Sequence, residues 1–311
     1  MKIIALAGGV GGAKLADGLA QLLFPEDLTI IVNTGDDFEH LGLYISPDLD
    51  TVCYTLAGMA DSQTGWGRSH ETYHVLKGLQ QLGGPDWFRL GDQDLATHIE
   101  RSRRLYTGQS LSRITRDFCH AWGVDHTILP MSDQPVRTLV DTEADGELAF
   151  QEYFVHQKCK PEVKGFRFAG IDSALPSPGV LDAIEQADAV VVCPSNPWVS
   201  IDPILTVAGI RSALAAKLIV AVSPIIGGRT VKGPAAKMYT ELGLPPSALS
   251  VAHHYGKLLS GFVLDRVDSS LSKIISIPTL VTNILMQTQA DRRRLAEDVL
   301  NLIRTLPGSA P

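Results

Sequence analysis

The sequence predicts an α/β protein: a Rossmann-like, mostly parallel sheet with a helical insertion and a β-hairpin. Three observations predict it. Short continuous apolar runs recur along the chain, loops rich in Gly, Ser, Asn or Pro follow them, and helical stretches separate them. Apolar runs without alternation suit strands covered on both faces, as in a parallel sheet.

Taken in order, Ile3–Ala7 is the first such strand, and a glycine loop leads from it into a helix ending near Leu23. Residues 29–32 form the second strand. Towards the other end, 189–193, 218–223 and 261–265 are further strands, with a helix expected over 201–216. The middle differs. Residues 60–125 are polar and carry charges at helical spacing, as in DLATHIERSRRL and SLSRITRDFCHAW. Residues 137–169 alternate around a turn at Asp145-Gly146, which reads as a hairpin. The reading is a single domain over 1–311 with a mainly helical insertion at about 60–125 and a short low-complexity tail at 307–311.

Composition bounds the function. The chain has 311 residues, 45% hydrophobic, enough for one large core. Its formal charge of -7 argues against a non-specific nucleic-acid binder, which needs a basic stripe. One small anion needs only a local pocket. The cysteines Cys53, Cys119, Cys159 and Cys193 form no CxxC pair, so neither a zinc site nor a disulfide framework is expected. The start MKIIALAGG lacks the features of a signal peptide, and no run approaches the roughly 20 apolar residues of a membrane helix. A soluble cytoplasmic protein is expected, with no membrane partner.

Ligands of open parallel sheets bind outside the carboxyl ends of the strands. That rule places the loops 8–14, 33–37, 194–197 and 223–228 on one rim. In the first, GGVGGAK, the glycines Gly8, Gly9, Gly11 and Gly12 let backbone amides approach phosphate oxygens at a helix N-terminus. The string is neither a P-loop nor GxGxxG, because Lys14 stands in the third glycine's place. A tight strand-to-helix turn is the alternative. Lys14 is either a phosphate contact or a solvated helix lysine.

Asp36, Asp37, Asp48 and Asp50 crowd into the stretch NTGDDFEHLGLYISPDLDT. Clustered carboxylates repel and cost desolvation energy when buried. They persist if solvated, if they cap a helix, or if they hold a cation. Ser46 reads as an N-cap, Pro47 as the first helical residue and Asp48 as a first-turn acid favoured by the helix dipole. Asp50, two residues on, points to another side of that helix. Asp37 and Asp50 are the expected catalytic carboxylates and the expected ligands of a magnesium ion, an oxygen-seeking cation that phosphoryl transfer requires. In a dinucleotide-binding protein Asp36 would instead hold a ribose hydroxyl. PSNP offers Ser195 and Asn196 beyond a buried strand, and Ser223 opens the last rim loop. Arg89, in WFRLGDQD, reads as a surface ion-pair former or a substrate ligand. His253-His254 shows no metal spacing and is assigned to structure or the rim.

The order GGVGGAK, NTGDD, ISPDLDT, RLGDQD, PMSD, PSNP and SPIIGGRTVKGPA resembles the 2-phospho-L-lactate transferase family of coenzyme F-420 biosynthesis, from Ile3 to about Leu285. The resemblance implies a donor in which guanosine diphosphate carries lactate, enolpyruvate or a related phospho-acid. The acceptor would be 7,8-didemethyl-8-hydroxy-5-deazariboflavin. Its ribityl hydroxyl attacks the phosphorus bearing the acid, GMP leaves, and magnesium is required. The family's deazaflavin contacts match Asp50 and Arg89, and homodimers are common among such enzymes. Val10, Gly12 and Ala13 depart from the GGTGTPK of archaeal members and resemble the bacterial branch. GRSHET departs from the family's glycine-aspartate-threonine run and leaves Arg68 and His70 without assigned roles. The alternative is a sugar-nucleotide-binding regulator related to the gluconeogenesis factor family, which shares the glycine loop and the acidic pair. An NAD-dependent dehydrogenase fits less well, for want of the third glycine.

Overall fold

In the computed structural model, which describes residues 1–308, one seven-stranded parallel sheet carries the chain. β1 (Ile3–Ala7) passes through a glycine loop into α1 (Gly9–Ala20), and β2 (Leu28–Val32) follows. A small hairpin, β3 (Phe38–His40) and β4 (Leu43–Ile45), turns the chain into α2 (Pro47–Leu56). The insertion supplies α3 (His74–Gln81), α4 (Asp92–Tyr106) and α5 (Leu111–Ala121) before β5 (Thr127–Pro130) rejoins the sheet. Next come β6 (Arg137–Thr142), β7 (Gly146–Ala149) and β8 (Val163–Ala169), which make a separate antiparallel sheet.

The second half begins with α6 (Val180–Gln186) and β9 (Ala189–Val192), then α7 (Asp202–Thr206), α8 (Ile210–Leu214) and β10 (Leu218–Val222). A two-stranded turn, β11 (Ile225–Ile226) and β12 (Arg229–Thr230), leads to α9 (Ala235–Glu241) and α10 (Ala248–Tyr255). β13 (Gly261–Asp265), β14 (Thr279–Thr282) and α11 (Gln289–Thr305) finish the described chain.

The sheet order is β14-β13-β10-β9-β1-β2-β5. The chain runs outward from β1 through β2 to β5, then restarts beside β1 with β9 and runs the other way. The gap between the ends of β1 and β9 is therefore the topological switch point, where such sheets bind ligands. Ile3, Ala5 and Ala7 pack into one core layer with α1, α2 and α11, while Ile4 and Leu6 pack into the opposite layer with α6, α8 and α10. Burial on both faces is why the strand reads as an unbroken apolar run.

Several expectations needed correction. The helix expected over 201–216 breaks at Val207–Gly209, where Gly209 adopts φ +84, a left-handed conformation that glycine accepts without a Cβ clash. The expected hairpin over 137–169 gains a third strand, since β8 pairs with β6 on the side opposite β7. The insertion is helical only from His74, the stretch before it being loop. Of the expected tail, residues 309–311 lie outside the described residues.

Candidate active site

The four rim loops do converge, around a cavity of about 730 Å³ at the switch point. β1 ends at Ala7, and Gly9 opens α1 with φ +62. A Cβ on Gly11 would come within 2.3 Å of the Pro194 carbonyl oxygen, so only glycine lets α1 approach the loop after β9 this closely. A Cβ on Gly8 would meet an Asp48 carboxylate oxygen at 2.5 Å. Gly8, Gly9 and Gly11 line the cavity. Gly12 does not: it faces Ala7 and Ser195, and its absent side chain serves packing. Lys14 lines the cavity, half-buried, with Nζ donating to the Met286 carbonyl at 2.7 Å, so it is not the solvated lysine the sequence allowed. Burial, with help from Arg292 and Lys232, holds its pKa below the ordinary lysine value.

All four clustered aspartates are buried, Asp36 at 5%, Asp37 at 2%, Asp48 at 6% and Asp50 at 5% exposure. They are therefore not solvated loop acids. Asn33, at the end of β2, organises two of them: its side-chain amide donates to Asp36 and, at 2.9 Å, to Asp48. Ser46 stands at the N-cap position of α2, but its hydroxyl donates to Asp37 at 2.9 Å and makes no side-chain cap. Asp48 sits in the first turn of α2, yet its carboxylate accepts from Asn33 and from the backbone amide of Gly9.

Burial raises the pKa of Asp36 well above the carboxylate range, with repulsion from Asp48 and Asp37 adding to it. Burial also lifts Asp48 to about 6 and Asp37 to about 7, although Arg137, Ser46 and Arg101 pull Asp37 down. The difference matters. Asp37 has guanidinium groups nearby and does not front the cavity, whereas Asp36 and Asp48 front it with only amide donors as company.

Asp50 fronts the cavity too, but both its oxygens accept from Arg101 of α4, one from Nη1 at 3.0 Å and the other from Nη2. The expected joint grip of Asp37 and Asp50 on one cation is therefore not the arrangement present, because Asp37 lies behind the wall and Asp50 is ion-paired. Among the described residues no group of three or more His, Cys, Asp or Glu gathers as a ready-made metal site.

Arg101 and Asn33, which hold the cavity's aspartates, are not among the residues expected from the sequence. For Arg101 a signal was present: Asp94, Thr97, His98 and Arg101 are the buried residues of α4, a face where an apolar stripe belongs.

The outer wall is aromatic. Phe38, His40, Trp87 and Phe88 meet with ring centroids 4.8–6.1 Å apart, and His156 stacks on Trp87 at 5.2 Å. Arg89 lies beside them, exposed and lining the cavity, with its guanidinium 4.5 Å above the Tyr73 ring. No carboxylate pairs with it among the described residues, so it is not a surface ion-pair former. Ser195 lines the cavity while hydrogen-bonding the backbone of Gly8. Asn196 and Ser223 also line it: Asn196 accepts from the Trp198 amide and donates to Met238 Sδ at 3.2 Å, and Ser223 accepts from the Ile225 amide in a local turn. Arg68 packs over the Tyr54 ring, His70 adopts φ +56 in a turn, and His254 pairs with Asp202 at 2.9 Å.

The parallel sheet, with its glycine loop at the switch point, puts the chain among Rossmann-like α/β proteins. Within that class it belongs to the 2-phospho-L-lactate transferase CofD family, whose family model matches residues 3–304. It is 43% identical to the phosphoenolpyruvate transferase of Streptomyces griseus, over 96% of this chain and 99% of that one. It is 39% identical to the 2-phospho-L-lactate transferase of Methanosarcina acetivorans, over 98% of this chain and 100% of that one. Among solved structures, a UPF0052-family protein from Bacillus halodurans superposes with a TM-score of 0.64 at 16% identity, covering 96% of this chain and 98% of that one, a likeness of fold. The described residues contain no helix long and apolar enough to cross a membrane.

Proposed function

We propose that the cavity binds a guanosine-diphosphate-linked three-carbon phospho-acid and 7,8-didemethyl-8-hydroxy-5-deazariboflavin, and moves the phospho-acid group to the ribityl hydroxyl. The observation that carries this reading is the pair Asp36 and Asp48. Two buried carboxylates with no cation beside them face the cavity next to the amides of Gly8 and Gly9. Such a pair fits a magnesium ion shared with a diphosphate, and we assign magnesium to these two residues in place of Asp37 and Asp50. The metal would supply charge neutralisation on the diphosphate as GMP departs.

The chain's own groups do the rest. The amides of Val10 and Gly11, in the first turn of α1, seat the phosphates, and the aromatic wall of Trp87 and Phe88 offers a flat surface for the deazaflavin ring. Arg89, free of carboxylate partners, lies beside that surface to hold the ring's polar edge. Asp50, each of whose oxygens keeps a lone pair beyond its bond to Arg101, accepts the hydrogen bond of the attacking hydroxyl. The hydroxyl oxygen bonds to the phosphorus carrying the acid, the bond from that phosphorus to GMP breaks, and the proton passes to Asp50 once the new bond exists. Little base strength is needed, because such transfers depend chiefly on positioning and charge stabilisation. The test is an assay with purified deazaflavin and each guanylated donor, lactyl and enolpyruvyl, with products identified by mass. Loss of all transfer, with both substrates shown to be intact, would refute the reading.

A further inference from the structure

Asp50 and Arg101 reach each other from different parts of the chain, one from α2 of the core and the other from α4 of the insertion. Arg101 is only 2% exposed, and burial alone would disfavour its charge. The Asp50 carboxylate more than compensates, leaving the guanidinium pKa above its ordinary value. The same Nη1 that donates to Asp50 lies 3.2 Å from His98 Nδ1. A guanidinium has no lone pair to offer, so Nδ1 is the acceptor and Nε2 carries the ring proton. That Nε2 lies 3.3 Å from Asp94 Oδ1, which also accepts from the Tyr54 hydroxyl at 2.7 Å.

This array is polar where packing does not require it. Replacing a buried ion pair by apolar residues of similar size is often neutral or stabilising, so stability is a weak reason for α4 to bury Asp94, His98 and Arg101. Its inner end has a clearer use. Tyr54, Asp50, Asp94 and His98 all line the cavity, and Arg101 stands behind them.

We propose that Arg101 is the positioning residue of the transfer step. It holds both oxygens of Asp50 in one orientation, so that the carboxylate meets the acceptor hydroxyl at a fixed angle. The inserted helix α4 thereby becomes part of the active site. The proposal rests on the transferase reading above. It explains the residue type: a planar fork grips two carboxylate oxygens at once, and an ammonium does not.

Steady-state kinetics with deazaflavin and the guanylated donor test it, measured well below the melting temperature of each variant. Arg101→Lys keeps the charge and loses the fork. Turnover should fall about 10–100-fold, with the donor KM within about twofold of the parent. Asp50→Asn/Arg101→Gln removes both charges together, so no buried ion is left alone. It should be no slower than Asp50→Asn alone, because Arg101 acts only through Asp50. Parental turnover in Arg101→Lys overturns the proposal, as does a double variant in which the two losses multiply. A fall in GDP affinity matching the fall in turnover overturns it as well, since that marks a merely structural role. If the unaltered protein transfers from neither donor, the transferase reading fails and takes the proposal with it; the other results overturn the proposal alone.

Discussion

Gly8 and Ser195 exchange two hydrogen bonds across the switch point: the Gly8 amide donates to Ser195 Oγ at 3.1 Å, and that hydroxyl donates to the Gly8 carbonyl at 2.7 Å. One serine thus clamps the loop after β1 to the loop after β9. Both Gly8 groups are buried, so Ser195→Ala strands a donor and an acceptor together. The expected cost is about 1–3 kcal/mol, seen in denaturant unfolding, with a fall of at least about tenfold in GDP affinity by calorimetry. GDP affinity equal to the parent's would show that the clamp does not shape the phosphate seat.

Gly11→Ala is a harsher test of the same contact. The added methyl would have to displace the Pro194 carbonyl, which is backbone and cannot rotate away. Melting temperature should fall and GDP binding should vanish. Gly78→Ala, at a helix site with open space around it, serves as the control and should be neutral or slightly stabilising.

Arg89→Ala removes a guanidinium that, among the described residues, is held by the Tyr73 ring. An exposed cation–π contact is worth about 0.5–1 kcal/mol, so folding should barely change. The acceptor KM should rise at least about tenfold while GDP affinity holds. An unchanged acceptor KM refutes the assignment.

The core strands were legible because burial on both faces leaves an unmistakable apolar run, as in Ile3–Ala7 and Gly261–Asp265. The edge strands β5 and β14 were not. Thr127–Pro130 and Thr279–Thr282 are short, partly exposed and threonine-bearing, and their pattern does not separate from loop. The glycine loop was legible because a glycine reports how closely another backbone approaches. The partners of the aspartates were not, because pairing is a long-range fact: Asp50 and Arg101 lie 51 residues apart. Arg101 also hides in a run with Arg103 and Arg104, which make ordinary surface pairs with Glu100. Only the spacing of Asp94, His98 and Arg101 along one helix face distinguishes it.

That pairing changes what Asp50→Asn should do. A carboxylate serving only the helix dipole is worth roughly 0.3–1 kcal/mol, and from the sequence the variant should fold almost normally. In the structure the substitution leaves Arg101 buried opposite an amide, which costs about 3–5 kcal/mol. Turnover should still fall by at least about 10²-fold. Thermal unfolding should show a clear drop for Asp50→Asn and substantial recovery in Asp50→Asn/Arg101→Gln. No drop in the single variant would contradict the buried pair.

The three raised carboxyls make a pH-dependent prediction whose sign follows from the raised pKa values. Asp36, Asp48 and Asp37 hold protons in the folded protein at pH values where the unfolded chain has released them. Below about pH 4 both states are protonated and no penalty arises. As pH climbs from there the unfolded state ionises first, so folding loses free energy until the folded carboxyls ionise as well, near 6 for Asp48 and near 7 for Asp37. Without ligands, the cluster should therefore make the protein less stable at about pH 7.5 than at about pH 5. Asp36→Asn removes one buried carboxyl and should raise the melting temperature at the higher pH. On the proposed assignment magnesium with GDP would bind the ionised carboxylates, so its stabilisation should grow with pH in the unaltered protein and shrink sharply in Asp36→Asn. Excess chelator should abolish transfer, and added magnesium should restore it. If Asp36→Asn is no more stable than the parent at the higher pH, burial is not straining that carboxyl. If its magnesium-dependent shift matches the parent's, the metal sits elsewhere.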